Sequence, residues 1–230
     1  MTDFSYYYNN VPNEGLCRNN LIYTSLISKD KTVFCQWYHN DTEYHRGKNQ
    51  VVDPLLMEDK WNREIKFLLL MTSNFPDMVP NILDIDYKQR KLYIRIDGVD
   101  FWQKHLDLGC KYDDILPNWK EQMLAIFKAH HSLSIWKYSL HPSSYFIVDG
   151  KLKSINYFFC YDQLDLPISL KEVLSHISLK RQQDLFPKME KMGLIIDKPT
   201  PFVDLQLLTF ESFKTNFPND FMDKAKSIYV

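Results

Sequence analysis

Glycine is scarce in this 230-residue chain. There are 6 glycines, and no two of them lie closer than 11 positions apart. Loops that cradle phosphate need several glycines close together, because their backbone approaches the ligand and adopts conformations that other residues resist. The shortage is sharpest near the start, where residues 11–28 contain only Gly15. The sequence therefore argues against functions that depend on a glycine-rich phosphate loop.

Clustered cysteines and long apolar runs are also absent. The cysteines are scattered without a CxxC pair, at Cys17, Cys35, Cys110 and Cys160. Neither a cysteine-based zinc site nor a disulfide framework is expected from this spacing. No apolar run approaches the roughly 20 residues that span a membrane, and residues 1–10 lack the basic and apolar blocks of a signal peptide. We therefore expect a soluble cytoplasmic protein with free thiols and no membrane partner.

Charge of either sign is not in excess. The 28 basic residues balance 29 acidic ones, which gives a net charge of −1. Because a dedicated nucleic-acid-binding protein usually carries a basic excess or a basic run, we expect no nucleic-acid partner. Hydrophobic residues make up 45% of the chain, which is enough for a packed core and argues against wholesale disorder.

Before Gly98 the sequence predicts two pairs of strands around one helix. The helix is predicted from about Leu56 to Met71, because apolar residues recur there at helical spacing with Glu64 beside them. Polar turns join the two strands of each pair. The strands are predicted at residues 21–27, 32–38, 82–86 and 91–96.

After Gly98 helical periods predominate. Apolar residues recur every three or four positions from Trp119 to Trp136, which is typical of the buried face of a long helix. Asp149-Gly150 between two apolar alternations predicts a β-hairpin over residues 145–155. From residue 170 onward we predict three or four short helices, broken at Pro187, Pro199, Pro201 and Pro218.

This order of elements predicts an α+β protein with two regions. Residues 1–97 are expected to form a small β-rich region with one helix. Residues 98–230 are expected to form a mostly helical region that includes the hairpin.

One segment resembles a known family. Residues 140–157 read Leu-His-Pro-Ser-Ser-Tyr-Phe-Ile-Val-Asp-Gly-Lys-Leu-Lys-Ser-Ile-Asn-Tyr. They resemble the catalytic segment of the protein-kinase-like superfamily, in its aminoglycoside phosphotransferase and choline kinase branch. Members of that branch typically carry His-Gly-Asp-Leu-His-Pro-Gly-Asn, a strand, Asp-Gly, a second strand and Ile-Asp-Phe. The shared core here is Leu140-His141-Pro142, Asp149-Gly150 and Ile155.

Upstream elements follow the order of the same family. Gln36 lies where its lysine is usual, and Glu64 resembles the glutamate of its helix C. Residues 92–99 are similar to its fifth strand and hinge. The resemblance covers about residues 15–165 and implies a bilobal protein-kinase-like fold, with a small β-rich N-lobe and a mostly helical, shortened C-lobe.

Four polar positions depart from the family pattern. Gln36 replaces the lysine that contacts nucleotide phosphates, and Ser139 replaces the aspartate that orients the acceptor hydroxyl. Ser144 and Asn156 replace the metal-binding asparagine and aspartate. Mg²⁺ prefers carboxylate ligands, so the second exchange removes an anionic ligand. The resemblance thus implies a degenerate nucleotide cleft at Gln36 and Glu64, with no intact catalytic residue.

The expected function is that of a pseudokinase, a degenerate kinase-fold protein without phosphotransfer. It would serve as a binding or regulatory module for a protein partner or small ligand, and no cofactor or metal is expected. One alternative is a divergent phosphotransferase acting on a small hydroxyl-bearing metabolite, with ATP and Mg²⁺ as cofactors and Asn156 and Asp162 at the metal. A second alternative is a structural or assembly protein.

Other groups have both a functional and a structural interpretation. His141 could be a base, although in the resembled family this histidine braces its loop. His130 is expected to be a hydrogen-bonded core residue, and Asp113 and Asp114 to be turn or capping residues. One cluster has the alternating spacing of metal ligands on a strand, but a solvated loop is the favoured interpretation. It consists of His39, Asp41, Glu43 and His45.

Overall fold

The computed structural model describes residues 24–28, 32–39, 54–95, 99–109, 111–162, 179–196, 198 and 200–228. The chain is an α+β protein, as the sequence predicts, and it divides into two compact units. The first comprises residues 1–100 and 146–158, and the second comprises residues 101–145 and 159–230. Residues 146–155 of the predicted hairpin belong to the first unit. The division at residues 97 and 98 stays a prediction.

A four-stranded antiparallel sheet forms the framework of the first unit. Its order is β1-β2-β4-β3, so β2 and β4 occupy the centre. Residues 33–36 of β2 and 91–94 of β4 are buried. Because successive side chains of a strand point to opposite faces of the sheet, consecutive buried residues mean that both faces are covered here. The predicted strands are confirmed within the described residues. They are β1 (Thr24–Ile27), β2 (Val33–Trp37), β3 (Ile82–Asp86) and β4 (Lys91–Arg95).

One long helix, α1 (Pro54–Asn74), belongs to the same unit. It extends a little beyond the predicted helix at both ends. Proline is accommodated in a first turn, because its missing N–H has no intrahelical acceptor there. The predicted apolar stripe is buried at Trp61, Ile65 and Leu68. A short 3₁₀ turn at Pro76–Met78 follows the helix.

A second, three-stranded sheet contains the predicted hairpin. Its order is β5-β7-β8, and β5 pairs antiparallel with β7. Asp149 and Gly150 form the hairpin turn with φ values of 49° and 72°. Two successive positive φ values suit the twist of a two-residue hairpin and favour Asp-Gly. The strands are β5 (Val99–Asp100), β7 (Tyr145–Val148) and β8 (Lys151–Ser154).

The second unit is mostly helical. Strands β6 (Ile135–Lys137) and β9 (Cys160–Asp162) pair antiparallel beside the helices. None of the helices in the described ranges is long and apolar enough to cross a bilayer. The helices are α2 (Phe101–Leu108), α3 (Tyr112–Ile115), α4 (Trp119–Ser132), α5 (Leu179–Lys191), α6 (Phe202–Phe213) and α7 (Asn219–Lys226).

Two helix boundaries differ from the sequence prediction. Helix α4 ends at Ser132, and Trp136 lies in β6 although its spacing continues the helical stripe. Ser134 has a φ of 55°, a left-handed conformation that ends the helix. Pro187 lies inside α5 and does not break it, because the buried side chains of Leu185 and Met189 hold the helix on both sides.

The other predicted breaks have two outcomes. Pro201 and Pro218 directly precede α6 and α7, as predicted. Pro199 lies outside the described residues.

Aromatic rings build much of the core of the second unit. The ring centroid of Trp119 lies 4.8 Å from that of Phe221, and Phe127 contacts Phe210 edge to face at 6.1 Å. The buried indole of Trp136 donates from Nε1 to Thr209 Oγ1 at 2.8 Å, which fastens β6 to α6. Such large side chains bury much apolar area and fix the packing of the helices.

Candidate functional site

A pair of carboxamides lies at the central strand of the first unit. Gln36 in β2 is completely buried, and its Nε2 donates to Oδ1 of Asn156 at 2.9 Å. The other amide atom of this side chain, Gln36 Oε1, has no hydrogen-bond partner among the described residues. The two side chains therefore share one hydrogen bond, and among the described residues no donor reaches Gln36 Oε1. Neither side chain carries a formal charge.

The backbone at Asn156 explains why this residue reaches Gln36. Its φ of 65° lies in the left-handed region, which asparagine tolerates better than most residues other than glycine. Ile155 and Tyr157 on either side are buried, whereas Asn156 is half-buried. The chain thus turns directly after β8 and brings the asparagine side chain to the sheet.

Glu64 of α1 is a buried carboxylate held by two donors. It is 1% exposed, and its Oε2 accepts from the hydroxyl of Tyr38 at 3.0 Å and from the backbone N–H of Phe158 at 2.8 Å. Hydrogen bonds of this kind offset the cost of burying a charge. The carboxylate ties the helix both to the end of β2 and to the segment that contains Asn156.

Lys60 is a buried titratable group that the sequence analysis missed. It lies one helical turn before Glu64 and is completely buried. Burial lowers the pKa of its ammonium group to about 7, although the Asp59 carboxylate acts in the opposite direction. The only signal in the sequence is its place on the buried face, next to Trp61 and four residues from Glu64.

Two serines come together in the second unit. The Oγ atoms of Ser139 and Ser144 lie 3.3 Å apart, and Ser144 is buried in the 3₁₀ turn Pro142–Ser144. His141 braces the same turn, because its Nδ1 accepts from the backbone N–H of Ser143 at 3.2 Å. The ring of His141 also meets the ring of Trp102 at 5.0 Å. This geometry agrees with the structural interpretation of the histidine.

Asp162 and Asn156, the metal ligands of the alternative hypothesis, lie in different units. Asp162 closes β9 in the second unit, opposite Ile135, and is half-buried. Asn156 belongs to the first unit. In the described part of the chain, no group of three or more histidine, cysteine, aspartate or glutamate side chains could hold a metal ion.

The remaining candidates have ordinary structural environments where they are described. His39 is buried with its ring 4.1 Å from that of Trp37, while the rest of its cluster, Asp41, Glu43 and His45, lies outside the described residues. Burial, and secondarily the charge of Lys137, lowers the pKa of His130 well below its usual value. His130 is therefore a neutral core residue at physiological pH.

The two aspartates before α4 make the expected turn contacts. Asp114 Oδ2 accepts from the backbone N–H of Lys111 at 3.1 Å. Asp113 Oδ1 accepts from the indole Nε1 of Trp119, also at 3.1 Å. Both carboxylates thus hold the local chain in place.

Comparison with known proteins gives only distant similarity. No family model matches the chain, and no curated protein matches it. A solved structure of the bifunctional kinase-methyltransferase WbdD aligns with 90% of this chain and 47% of its own, at 12% identity and a TM-score of 0.44. WbdD in complex with the kinase inhibitor LY294002 aligns over 91% and 49%, at 11% identity and a TM-score of 0.46. The chain spans about half the length of these WbdD chains.

Proposed function

We propose that this chain is a pseudokinase, a bilobal kinase-fold protein of the aminoglycoside phosphotransferase and choline kinase type that has lost phosphotransfer and acts as a binding or regulatory module. The order of its elements supports the proposal. Two strands, a helix and two more strands precede a set of helices and then the Asp-Gly hairpin. This is the order that the resemblance of residues 15–165 implies.

The hydrogen bond between Gln36 and Asn156 carries the proposal. In an active kinase the corresponding positions supply a lysine for the nucleotide phosphates and an aspartate for the metal ion. Here two neutral carboxamides occupy them and bind each other. A carboxamide neutralises no phosphate charge, and Mg²⁺ is held better by carboxylates. The pair thus removes the electrostatic stabilisation on which phosphoryl transfer depends.

The environment of Glu64 agrees with this interpretation. The helix C glutamate of an active kinase pairs with the phosphate-binding lysine. Glu64 instead accepts hydrogen bonds from Tyr38 and from the backbone of Phe158. Its role in this protein is to hold α1 against its neighbours.

The serines of the second unit provide no substitute base. A serine hydroxyl does not accept a proton at neutral pH unless another group activates it. Ser139 and Ser144 contact each other through their hydroxyls. The acceptor hydroxyl of a substrate would therefore lack the aspartate that normally orients it.

Binding of a fluorescent ATP analogue, titrated with and without Mg²⁺, tests the proposal. We expect no Mg²⁺-dependent increase in affinity, because neither Gln36 nor Asn156 carries a charge. Tight binding that requires the metal would overturn the proposal. It would favour the divergent phosphotransferase, for which ATP and Mg²⁺ are the cofactors.

A further inference from the structure

A cavity of about 290 Å³ lies in the second unit, and none of the residues that line it belongs to the kinase resemblance. The segment from α2 to the start of α4 forms one side, and Thr215–Pro218 forms the other. Its floor consists of the rings of Tyr112, Trp119 and Phe217, all of which are buried. The half-buried rings of Trp102 and His105 form a wall. A cavity so rich in aromatic side chains is suited to a planar apolar group.

The polar atoms of the floor rings are already bonded to the surrounding protein. The hydroxyl of Tyr112 donates to the backbone carbonyl of Asn216 at 3.2 Å, and the indole of Trp119 donates to Asp113. The polar atoms of the floor are thus used within the protein. The floor rings are 0 to 7% exposed, so the ring surface that a ligand can contact belongs mainly to the half-buried Trp102 and His105 of the wall. Burial also raises the pKa of the Tyr112 phenol, so this ring stays uncharged at physiological pH.

The two wall rings pack on each other and on the floor. Trp102 and His105 lie 5.2 Å apart at 31°, and His105 and Tyr112 lie 4.5 Å apart at 30°. Nearly parallel, offset rings of this kind present edges and partial faces to their surroundings. Aromatic ligands pack favourably against both in offset and edge-to-face geometry.

The rim of the cavity supplies one cation. Lys111 is exposed at the rim, and within the described ranges its ammonium group makes no ion pair. The nearby Lys120 is occupied, because its Nζ lies 3.1 Å from Asp220 Oδ2. Two carboxylates follow Lys111 in the chain, and both accept hydrogen bonds within the protein. Asp113 accepts from the Trp119 indole, and Asp114 Oδ2 accepts from the backbone N–H of Lys111. Lys111 is thus the lysine that lines the cavity and can meet an anionic group.

We propose that this cavity binds a small planar aromatic molecule with one anionic group, an aromatic carboxylate. The ring system packs against the half-buried rings of Trp102 and His105, above the buried floor, and the carboxylate meets the ammonium group of Lys111. The volume of about 290 Å³ is near the lower end of ligand pockets, so it suits one or two rings rather than a nucleotide. The proposal does not depend on the pseudokinase assignment, since it uses none of the same residues.

Calorimetric titration with three naphthalene probes tests the proposal on the full chain. The probes are 2-naphthoate, the neutral 2-naphthamide and the cationic 2-(aminomethyl)naphthalene, which share a ring system and differ in charge. We expect 2-naphthoate to bind about tenfold more tightly than either of the others, because a charge-assisted hydrogen bond to Lys111 adds to the ring contacts. No measurable binding of 2-naphthoate, equal binding of all three, or preference for the cation at Asp113 would overturn the proposal.

Two substitutions locate the site. Lys111→Met should abolish the preference for 2-naphthoate over 2-naphthamide, whereas Lys128→Met, at an exposed position of α4, should leave it unchanged. Thr215→Trp, which places a bulky ring at the exposed edge of the cavity, should weaken the binding of 2-naphthoate at least tenfold while the circular dichroism spectrum stays that of the wild type. A preference for the carboxylate that survives in Lys111→Met would contradict the site assigned here.

Discussion

Three buried polar side chains of the first unit illustrate the residue scale. Gln36, Lys60 and Glu64 are all buried, and the cost of removing each polar group from water is reduced in a different way. The carboxyl group of Glu64 accepts two hydrogen bonds, and the pKa of Lys60 falls toward neutrality. Gln36 avoids charge altogether. These three responses are the ones that a low-dielectric interior permits, and each makes a measurable difference to stability.

Removing one donor from Glu64 should destabilise the protein. We expect Tyr38→Phe to lower the free energy of unfolding by about 1 to 2 kcal/mol, because the buried carboxylate loses a hydrogen bond. Urea denaturation measures the change. Tyr87→Phe is the matched control, since Tyr87 is exposed and its hydroxyl should contribute less than about 0.5 kcal/mol. Equal losses in the two variants would contradict the importance of the Tyr38 contact.

Lys60 should make stability rise with pH just above neutrality. Its pKa is about 7 in the folded chain against 10.5 for an ordinary lysine. Between these values the unfolded chain binds the extra proton, so the free energy of unfolding increases as pH rises. One proton contributes at most about 1.4 kcal/mol per pH unit, and we expect about 1 kcal/mol between about pH 7.5 and 8.5.

Urea denaturation of wild type and Lys60→Met at the two pH values isolates this effect. The variant should lose the rise, and its slope should be nearly flat. The range stops below pH 9 because burial also raises the pKa of Cys35 to about 12, which lowers stability once the unfolded thiol ionises. Identical slopes for the two proteins would show that Lys60 is charged in the folded state.

Contacts between helices act at the scale of elements. Glu211 of α6 accepts hydrogen bonds from Lys214 and from Lys226 of α7, each at 2.9 Å. These two ammonium groups lower the pKa of its carboxyl to about 2. The contact with Lys226 joins α6 and α7 of the second unit, and Phe221 and Met222 of α7 are buried.

Loss of this ion pair should have a small effect that depends on pH. We expect Lys226→Met to lower the free energy of unfolding by about 0.5 kcal/mol near pH 7, because solvent screens a pair of this exposure. A lowered carboxyl pKa stabilises the folded chain above about pH 4.5, and this stabilisation is lost as pH falls toward 2. Thermal unfolding of wild type and variant near pH 7 and near pH 2 measures how the contribution of the ion pair changes with pH. Lys224→Met, on the same helix at an exposed position, provides the control, and an equal loss there would contradict the pair.

At the scale of the whole molecule, the sequence predicts local elements well and distant contacts poorly. The strands, α1 and the hairpin follow from patterns within about ten residues, and Asp149-Gly150 alone specifies its turn. The boundary between α4 and β6 does not follow from a local pattern. Trp136 continues the helical spacing, but its indole is held by Thr209, which is 73 residues further along the chain. The predicted helix break at Pro187 is wrong for a similar reason, since tertiary packing outweighs the local tendency of proline to end a helix.

The same limit applies to the candidate sites. Gln36 and Asn156 are 120 residues apart, and only the resemblance to a family relates these two positions to each other. The aromatic cavity joins α2 and α3 to residues 215–218, and no spacing rule connects such segments. Lys60 was overlooked because lysine on a helix is usually solvated, and only its alignment with the buried stripe indicates otherwise.

The division of the chain into two units has a spectroscopic consequence. The five tryptophans are shared between them, with Trp37 and Trp61 in the first unit and Trp102, Trp119 and Trp136 in the second. Protein expressed with 5-fluorotryptophan in place of tryptophan would therefore carry two fluorine nuclei in the first unit and three in the second. The ¹⁹F resonances then follow the melting of each unit separately, and Trp102 and Trp119 sense the aromatic cavity directly.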